Sequence, residues 1–429
     1  MRIAIVAHTG SPLTPSRDPH ADARAAGVTS LAQTLAADGH RVTIYARRDA
    51  HNLPDHAILS RGVTIEHLTA GPAAPLRADE MMAHIKDFGD KLAKRWTQKC
   101  PDIAHAQTWT SGLATLVAAR GKQVRVVQSF DSLASTERRH RVAGSGPAAR
   151  AKLEGCLARS ADCVLARTSA EVADLVRMGV PRASITVVPA GVDTALFSPD
   201  GPRAERTERP RLLAVSPLDP GQGLDQLVRI LVAIPDAELV IAGGPPSSTL
   251  RTDKTYRELM RLARSLKVQR RLSFTGQIGH GELPSLLRSA DVLVSAAPYE
   301  PLGAVTIAAM ACGTPAAVTA VGGNRDAVLD ETTGLLVAPG RIDLLARRVR
   351  RLLAAPMRLE AFGVAAADRA GARYAADRIG REALAAYQRL LAPTQVTVPA
   401  QAGVAEAEAA EEMLDRSEGL ALAPVPALA

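Results

Sequence analysis

The chain has 429 residues, 47% of them hydrophobic but only 3% aromatic, and a formal net charge of +8. That length suits two domains of ordinary size with cores built from Ala, Val and Leu. No apolar run reaches the roughly 20 residues of a membrane-crossing helix, and no recognition motif or basic–aromatic interleaving points to nucleic acid.

Cys100, Cys156, Cys163 and Cys312 lack C-x-x-C or zinc-site spacing. They read as reduced thiols, and MRIAIVAH at the start reads as a strand and not as a signal peptide. The expected location is the cytoplasm, with an anionic substrate or a peripheral contact with the inner face of the membrane to explain the positive charge.

In the first half, strand-like runs recur at Arg2 to His8, Arg41 to Arg47, Val63 to Leu68, Asp102 to Gln107, Val124 to Phe130, Cys163 to Thr168 and Ile185 to Gly191. Helical stretches lie between most of them, such as Val28 to Asp38 closed by Gly39, and this alternation predicts a parallel doubly wound sheet. Met81 to Lys99 reads as a helix with Met82, Ile85, Leu92 and Trp96 on one side and lysines on the other. Its apolar stripe is expected on the sheet, with a lipid surface as the second reading. Ser198 to Pro210, polar and holding three prolines, reads as a linker.

The alternation restarts at Arg211 to Pro217, Glu238 to Gly244 and Arg271 to Gln277. Helices follow at Ile342 to Ala355, where the arginines form a solvated face, and at Ala375 to Leu391. The expected units are residues 1–198, a linker at 199–210, residues 211–375, a final helix at 376–392, and a disordered tail at 393–429 rich in Ala, Pro and Glu.

The most informative stretch runs from Asp291 to Gly323. Val292 to Ala297 is a short apolar run, read as a buried parallel strand. Pro298, Pro301 and Gly303 break the chain, Ala304 to Ala311 are helix formers, and Gly313 with Pro315 stop the helix. A second strand, Ala316 to Val321, ends at Gly322-Gly323. The amides of Leu302, Gly303, Ala304 and Val305 then lie at a helix start beyond the carboxyl end of a strand, which is an anion site. Glu300 adds an acceptor suited to sugar hydroxyls.

The blocks E-P-L-G-A-V, M-A-C-G-T-P, A-V-G-G and T-G-L-L-V-A-P-G (Thr333 to Gly340) resemble the donor site of family 4 retaining glycosyltransferases. In the first half, His8 to Leu13, His105 to Gly112, Gln128 to Leu133 with Glu137 to His140, and Val188 to Asp193 resemble the same family, in the branch with inositol phosphate or sucrose-type acceptors. The resemblance covers residue 1 to about residue 390. It implies a GT-B α/β fold, two Rossmann-like doubly wound domains facing each other across a cleft, with the last helix crossing back onto the first domain. It also implies transfer of a sugar from a nucleotide-diphosphate donor to a sugar, polyol-phosphate or glycolipid acceptor, with retention and without a metal or other cofactor. By resemblance, Glu300 is catalytic, Gly276 and Gln277 face the nucleoside, and Gly10, Ser11, Trp109, Arg138 and Arg139 lie on the acceptor side.

Several family positions are replaced. The cations of the G-R-L-x-x-x-K-G stretch fall at Pro217 and Gln222, with Asp219 between them. The second glutamate of the E-x7-E pair falls at Ala308, Asp131 stands where the family commonly has His, and the first domain's Gly-Gly loop aligns with Asp22-Ala23. A carboxylate at 131 can accept a proton but cannot donate as an imidazolium does. Losing one donor aimed at developing charge costs roughly 10²–10³ in rate, so Arg325, Arg138 or Arg139 is the expected source of replacement charge. The second reading is a silent relative that binds a nucleotide, a glycan or a partner glycosyltransferase.

Overall fold

The computed structural model describes residues 1–8, 11–13, 19–76, 78–140 and 146–392, with side chains 19–24 and 78–79 excepted. Among these residues the strands form two separate sheets. The first holds β1 (Arg2–Ala7), β2 (Arg41–Arg47), β3 (His56–Ser60), β4 (Val63–Leu68), β5 (Ile103–Ala106), β6 (Arg125–Gln128), β7 (Cys163–Ala166) and β8 (Ile185–Val187), in the order β3-β4-β2-β1-β5-β6-β7-β8. All neighbours are parallel except β3, which runs antiparallel to β4 at the edge.

The second sheet holds β9 (Arg211–Val215), β10 (Glu238–Ala242), β11 (Leu272–Gly276), β12 (Val292–Ser295), β13 (Ala316–Thr319) and β14 (Gly334–Val337). Its order is β11-β10-β9-β12-β13-β14, parallel throughout. Near-continuous Val, Ile, Leu and Ala in these strands reflects burial on both faces, since helices cover each side of a parallel sheet.

On the first sheet, α3 (Ile85–Gln98), α4 (Trp109–Ala119), α6 (Arg150–Ser160) and α7 (Ser169–Arg177) close one core. The short α2 (Ala78–Met81) and α5 (Ala134–Arg139) border it. The opposite face is covered by α1 (Pro19–Ala37) and by α15 (Ala376–Leu391), which returns from the far end of the chain to bury Ile379, Ala383 and Tyr387. The Tyr387 hydroxyl pairs with His105 Nδ1 at 2.7 Å inside this core.

On the second sheet, α8 (Leu224–Ala233), α9 (Lys254–Ser265) and α13 (Ile342–Leu353) lie on one face. The other face carries α10 (Leu283–Arg288), α11 (Ala304–Ala311) and α14 (Pro356–Tyr374), with α12 (Gly322–Ala327) beside them. Residues 198–210 contain no strand or helix, yet they are pinned: Arg206 pairs with Asp291 at 2.7 Å, and Arg288 Nε donates to the Pro202 carbonyl at 2.8 Å. The return to the first sheet is fixed by Val192, whose N–H donates to Tyr374 O at 2.8 Å and whose carbonyl accepts from Ala376 N at 2.9 Å.

The structure departs from the sequence expectations at several elements. Helix α1 begins at Pro19, well before Val28, so positions 22 and 23 lie in helical turns instead of a glycine-like loop. A 3-10 turn at Met82–His84 divides the Met81 to Lys99 helix. Ile85, Leu92 and Trp96 of its apolar stripe are buried at 1% exposure or less, so that face meets the domain core and not a lipid surface. Each such side chain contributes about 1.5–3 kcal/mol on burial. The edge strand β3 was not expected, because its half-exposed residues carry no strong alternation. No helix among the described residues is long and apolar enough to cross a membrane, and the 393–429 tail lies outside the described residues.

Candidate active site

The two sheets bring the carboxyl ends of their strands to a shared boundary. On the second sheet, the chain leaves β12 at Ser295 and turns through Gly303, whose φ of +69° favours glycine. Glu300 folds back on its own loop, its carboxylate accepting the Gly303 N–H at 2.9 Å. The amides of Ala304 and Val305 open α11 and have no carbonyl one turn back. Glu300, Leu302, Ala304 and Val305 are half-buried. Thus Glu300 stands beside the expected anion site, but it also holds the loop that forms it.

The turn from β13 to α12 lies directly on this loop. Gly323 N–H donates to the Glu300 carbonyl at 2.9 Å. A Cβ on Gly323 would sit 2.1 Å from the Leu302 carbonyl carbon, and one on Gly322 would sit 1.9 Å from Glu300 O. Only two glycines let the backbones approach this closely. Buried Asn324 completes the junction, accepting from Thr306 Oγ1 at 2.6 Å.

The β9–α8 loop is the next neighbour. A Cβ on Gly223 would lie 2.4 Å from Ala296 O, and one on Gly243 would lie 2.4 Å from Ser216 O. The loop is therefore wedged between the ends of β10 and β12, beside the α11 start. Pro217 and Gln222 are half-buried there, Asp219 is exposed, and the loop from Ser216 to Gly223 carries no cation. Ala308, 6% exposed on the second turn of α11, sits among apolar neighbours. Gly276 closes β11 with φ +74°, and the Gln277 N–H donates to Pro245 O at 3.1 Å.

On the first sheet, Gln107, Ser129 and Arg167 are the first residues beyond the carboxyl ends of β5, β6 and β7. Asp131 follows β6, half-buried; burial raises the Glu171 carboxyl, and the negative field of Asp131 adds to that rise. Trp109 opens α4 behind the cap Thr108, with the Arg150 guanidinium 5.9 Å over its ring. Arg150 is held by two carboxylates, Glu154 at 2.6 Å and Glu137 at 2.9 Å. Burial pushes the Glu154 carboxyl up to about 7, against the pull of Arg150.

The other acceptor-side residues are engaged within the protein. Ser11 Oγ pairs with His67 Nε2 at 2.7 Å. Arg138 donates to the Ala148 carbonyl at 2.9 Å, and Arg139 pairs with Asp174 at 2.9 Å. Gly10 lies outside the described residues. Arg325 stays exposed on α12, with no ion pair or hydrogen bond among the described residues.

Several contacts escaped the sequence reading. Tyr299, next to Glu300, stacks on His140 of the first half, with ring centroids 5.3 Å apart and planes 21° apart. Asp326 of α12 accepts from Ser169 N at 2.7 Å and Ser169 Oγ at 2.6 Å at the start of α7. His8, at the end of β1, is fully buried, neither ring nitrogen has a hydrogen-bond partner among the described residues, and burial depresses its pKa to about 3. Tyr299–His140 and Asp326–Ser169 join residues more than 150 positions apart, beyond any local pattern. For His8, the signal was a histidine ending the first apolar strand.

Comparison with known proteins agrees with this architecture. Residues 200–369 match the family described as glycosyl transferases group 1, and residues 25–196 match glycosyltransferase family 4. The chain is 30% identical over 410 residues to a D-inositol 3-phosphate glycosyltransferase of Actinosynnema mirum, covering 90% of this chain and 96% of that one. It is 31% identical over 399 residues to a protein of the same name from Kineococcus radiotolerans, covering 86% and 91%. Sucrose-phosphate synthase from Thermosynechococcus elongatus superposes with a TM-score of 0.80 at 26% identity, covering 92% of this chain and all of that one. Two parallel α/β halves, both matched by the family and spanned almost end to end by these relatives, make the chain a member of the family 4 glycosyltransferases, with the GT-B fold.

Proposed function

We propose that the protein moves a sugar from a nucleoside-diphosphate donor to an acceptor hydroxyl, with retention of configuration and without a metal. The observation that carries this reading is the β12–α11 loop. Its Glu300 carboxylate and the amides of Ala304 and Val305 stand together at the carboxyl ends of the second sheet, beside Tyr299, which reaches the first half. The amides suit phosphate oxygens, and Glu300 suits sugar hydroxyls through its second oxygen.

In the reaction, the bond from the anomeric carbon to the β-phosphate oxygen breaks, and its electron pair stays on that oxygen. The acceptor hydroxyl oxygen bonds the anomeric carbon from the same face, and its proton passes to the Asp131 carboxylate. The acceptor is a sugar, a polyol phosphate or a glycolipid; the inositol-phosphate and sucrose-phosphate names of the relatives support the first two. The reading places the work in the cytoplasm.

The test is incubation with UDP-, GDP- and ADP-sugars and sugar or inositol-phosphate acceptors, reading nucleoside diphosphate release and the anomeric coupling of the product. Product with the donor's configuration is expected. Inverted product would overturn the mechanism, and nucleotide binding without any transfer would mark the silent relative instead.

A further inference from the structure

Whatever seats the donor must meet the negative charge that gathers on the departing diphosphate, and the loops around the α11 start supply no cation for it. Charge accounting at the boundary between the halves narrows the source. Arg139 and Arg150 are neutralised by carboxylates, Arg138 is bound to carbonyls, and Arg369 donates to the Ala327 and Asp326 carbonyls at 2.7 and 2.8 Å. Arg167 is different. Among the described residues its guanidinium has one side-chain contact, to Gln107 Oε1 at 3.4 Å, and no ion pair. The neighbouring Glu171 carboxylate accepts the Arg167 backbone N–H at 2.7 Å.

Arg167 also stands at the boundary between the halves. It lines a cavity of about 440 Å³ between the halves, whose opposite wall includes Leu302 and Gly323, the residues flanking the α11 start, and Arg373 at the end of α14. Arg373 is exposed and has no ion pair among the described residues. The carboxylate of Asp326 shares this cavity, but both its oxygens are taken up at the start of α7 by Ser169. Arg325 does not line it.

We infer that Arg167, seconded by Arg373, binds the donor's diphosphate and compensates the charge it gains on leaving. The role rests on the transferase reading and deepens it: the compensating cation comes from the first domain, across the cleft from the loop at Pro217 and Gln222. Because Asp131 takes the acceptor proton, the diphosphate departs with one more negative charge, and a guanidinium fork suits such an anion through paired N–H donors.

The experiment uses the full chain, with UDP, GDP and ADP titrated calorimetrically and donor turnover measured in parallel. Arg167→Gln is expected to lower kcat by roughly 10²–10³-fold, with a smaller rise in donor KM, because the charge is greatest in the transition state. Arg167→Lys should recover part of the loss. Arg373→Gln, at an exposed position, should cost about threefold in affinity, and Arg351→Gln on the outer face of α13 should change nothing. A second reading uses the unmodified protein: bound nucleoside diphosphate should shield Arg167 from phenylglyoxal, detected by peptide mass. Nucleotide binding with wild-type turnover in Arg167→Gln, or with no shielding of Arg167, overturns the inference while the transferase reading stands. Absence of any nucleotide binding to the unmodified protein overturns both.

Discussion

Replacing Glu300 separates its two jobs. Its carboxylate accepts the Gly303 N–H at 2.9 Å in a half-buried loop, a charge-assisted bond worth about 1.5–3 kcal/mol. Glu300→Ala removes this bond and leaves the amide of a left-handed glycine without its partner, so unfolding stability should fall by about 1.5–2 kcal/mol, the lower part of that range because the loop is only half-buried. Glu300→Gln keeps an oxygen at the same reach, so it should lose less than about 1 kcal/mol of stability. Both substitutions remove the charge offered to the donor's sugar, so both should weaken donor-sugar binding, by about tenfold or more. Binding of the free nucleoside diphosphate should weaken in the Ala variant alone, because only there does the anion site lose its shape. The assay is thermal unfolding with calorimetric titration of nucleoside diphosphate and of nucleotide-sugar. Equal stability loss in the two variants, or Glu300→Ala with unchanged stability and affinity, would refute the dual role.

Other consequences follow from the same geometry. Gly323→Ala forces a Cβ to within 2.1 Å of the Leu302 carbonyl carbon, so it should cost about 1–3 kcal/mol by overpacking and weaken nucleotide binding, as chemical denaturation and titration will report. Asp326→Ala removes two bonds at Ser169 that join the halves; solution scattering should show a larger radius of gyration, and an unchanged radius would mean the contact does not hold the cleft. Pro217→Arg with Gln222→Lys places cations on the wedged β9–α8 loop and should raise diphosphate affinity at least tenfold, or about 1.4 kcal/mol, whereas Ala308→Glu should act on nucleoside choice and carry a stability cost for placing a charge at a 6% exposed site. Burial lifts Glu171 from 4.5 to about 7, so the folded chain retains a proton that the unfolded chain releases, and this contribution is present below pH 4.5 and lost as pH rises through 7. Glu171→Gln should therefore match the parent near pH 4.5 and gain stability toward pH 8, by up to about 3 kcal/mol; a pH-independent difference between the two proteins would contradict this.

The sequence was most readable where function and fold impose local patterns. The helix read at Ala304 to Ala311 and the glycines after the next strand lie where the structure has α11 and the α12 turn, because strand ends, prolines and close-approach glycines are properties of a few consecutive residues. The β12 strand stops earlier than expected, at Ser295, since Ala296 and Ala297 are buried without pairing in the ladder. What could not be read was partnership across distance. Arg167 looked like an ordinary strand-end residue until the fold set it in a cavity with Leu302 and Arg373. Of the three replacement cations named from the sequence, Arg138 and Arg139 are engaged within the first half and Arg325 stays exposed. Tyr299 gave no signal beside Glu300 because its partner, His140, lies in the other half of the chain.

The central claim, that a nucleoside diphosphate binds where the β12–α11 loop meets the first domain, is tested most directly by calorimetric titration of UDP, GDP and ADP into the unmodified protein. One of the three should bind at a single site, and Gly323→Ala, which disturbs that loop, should abolish the heat. Three flat titrations at millimolar nucleotide, or binding that survives Gly323→Ala unchanged, would contradict the account.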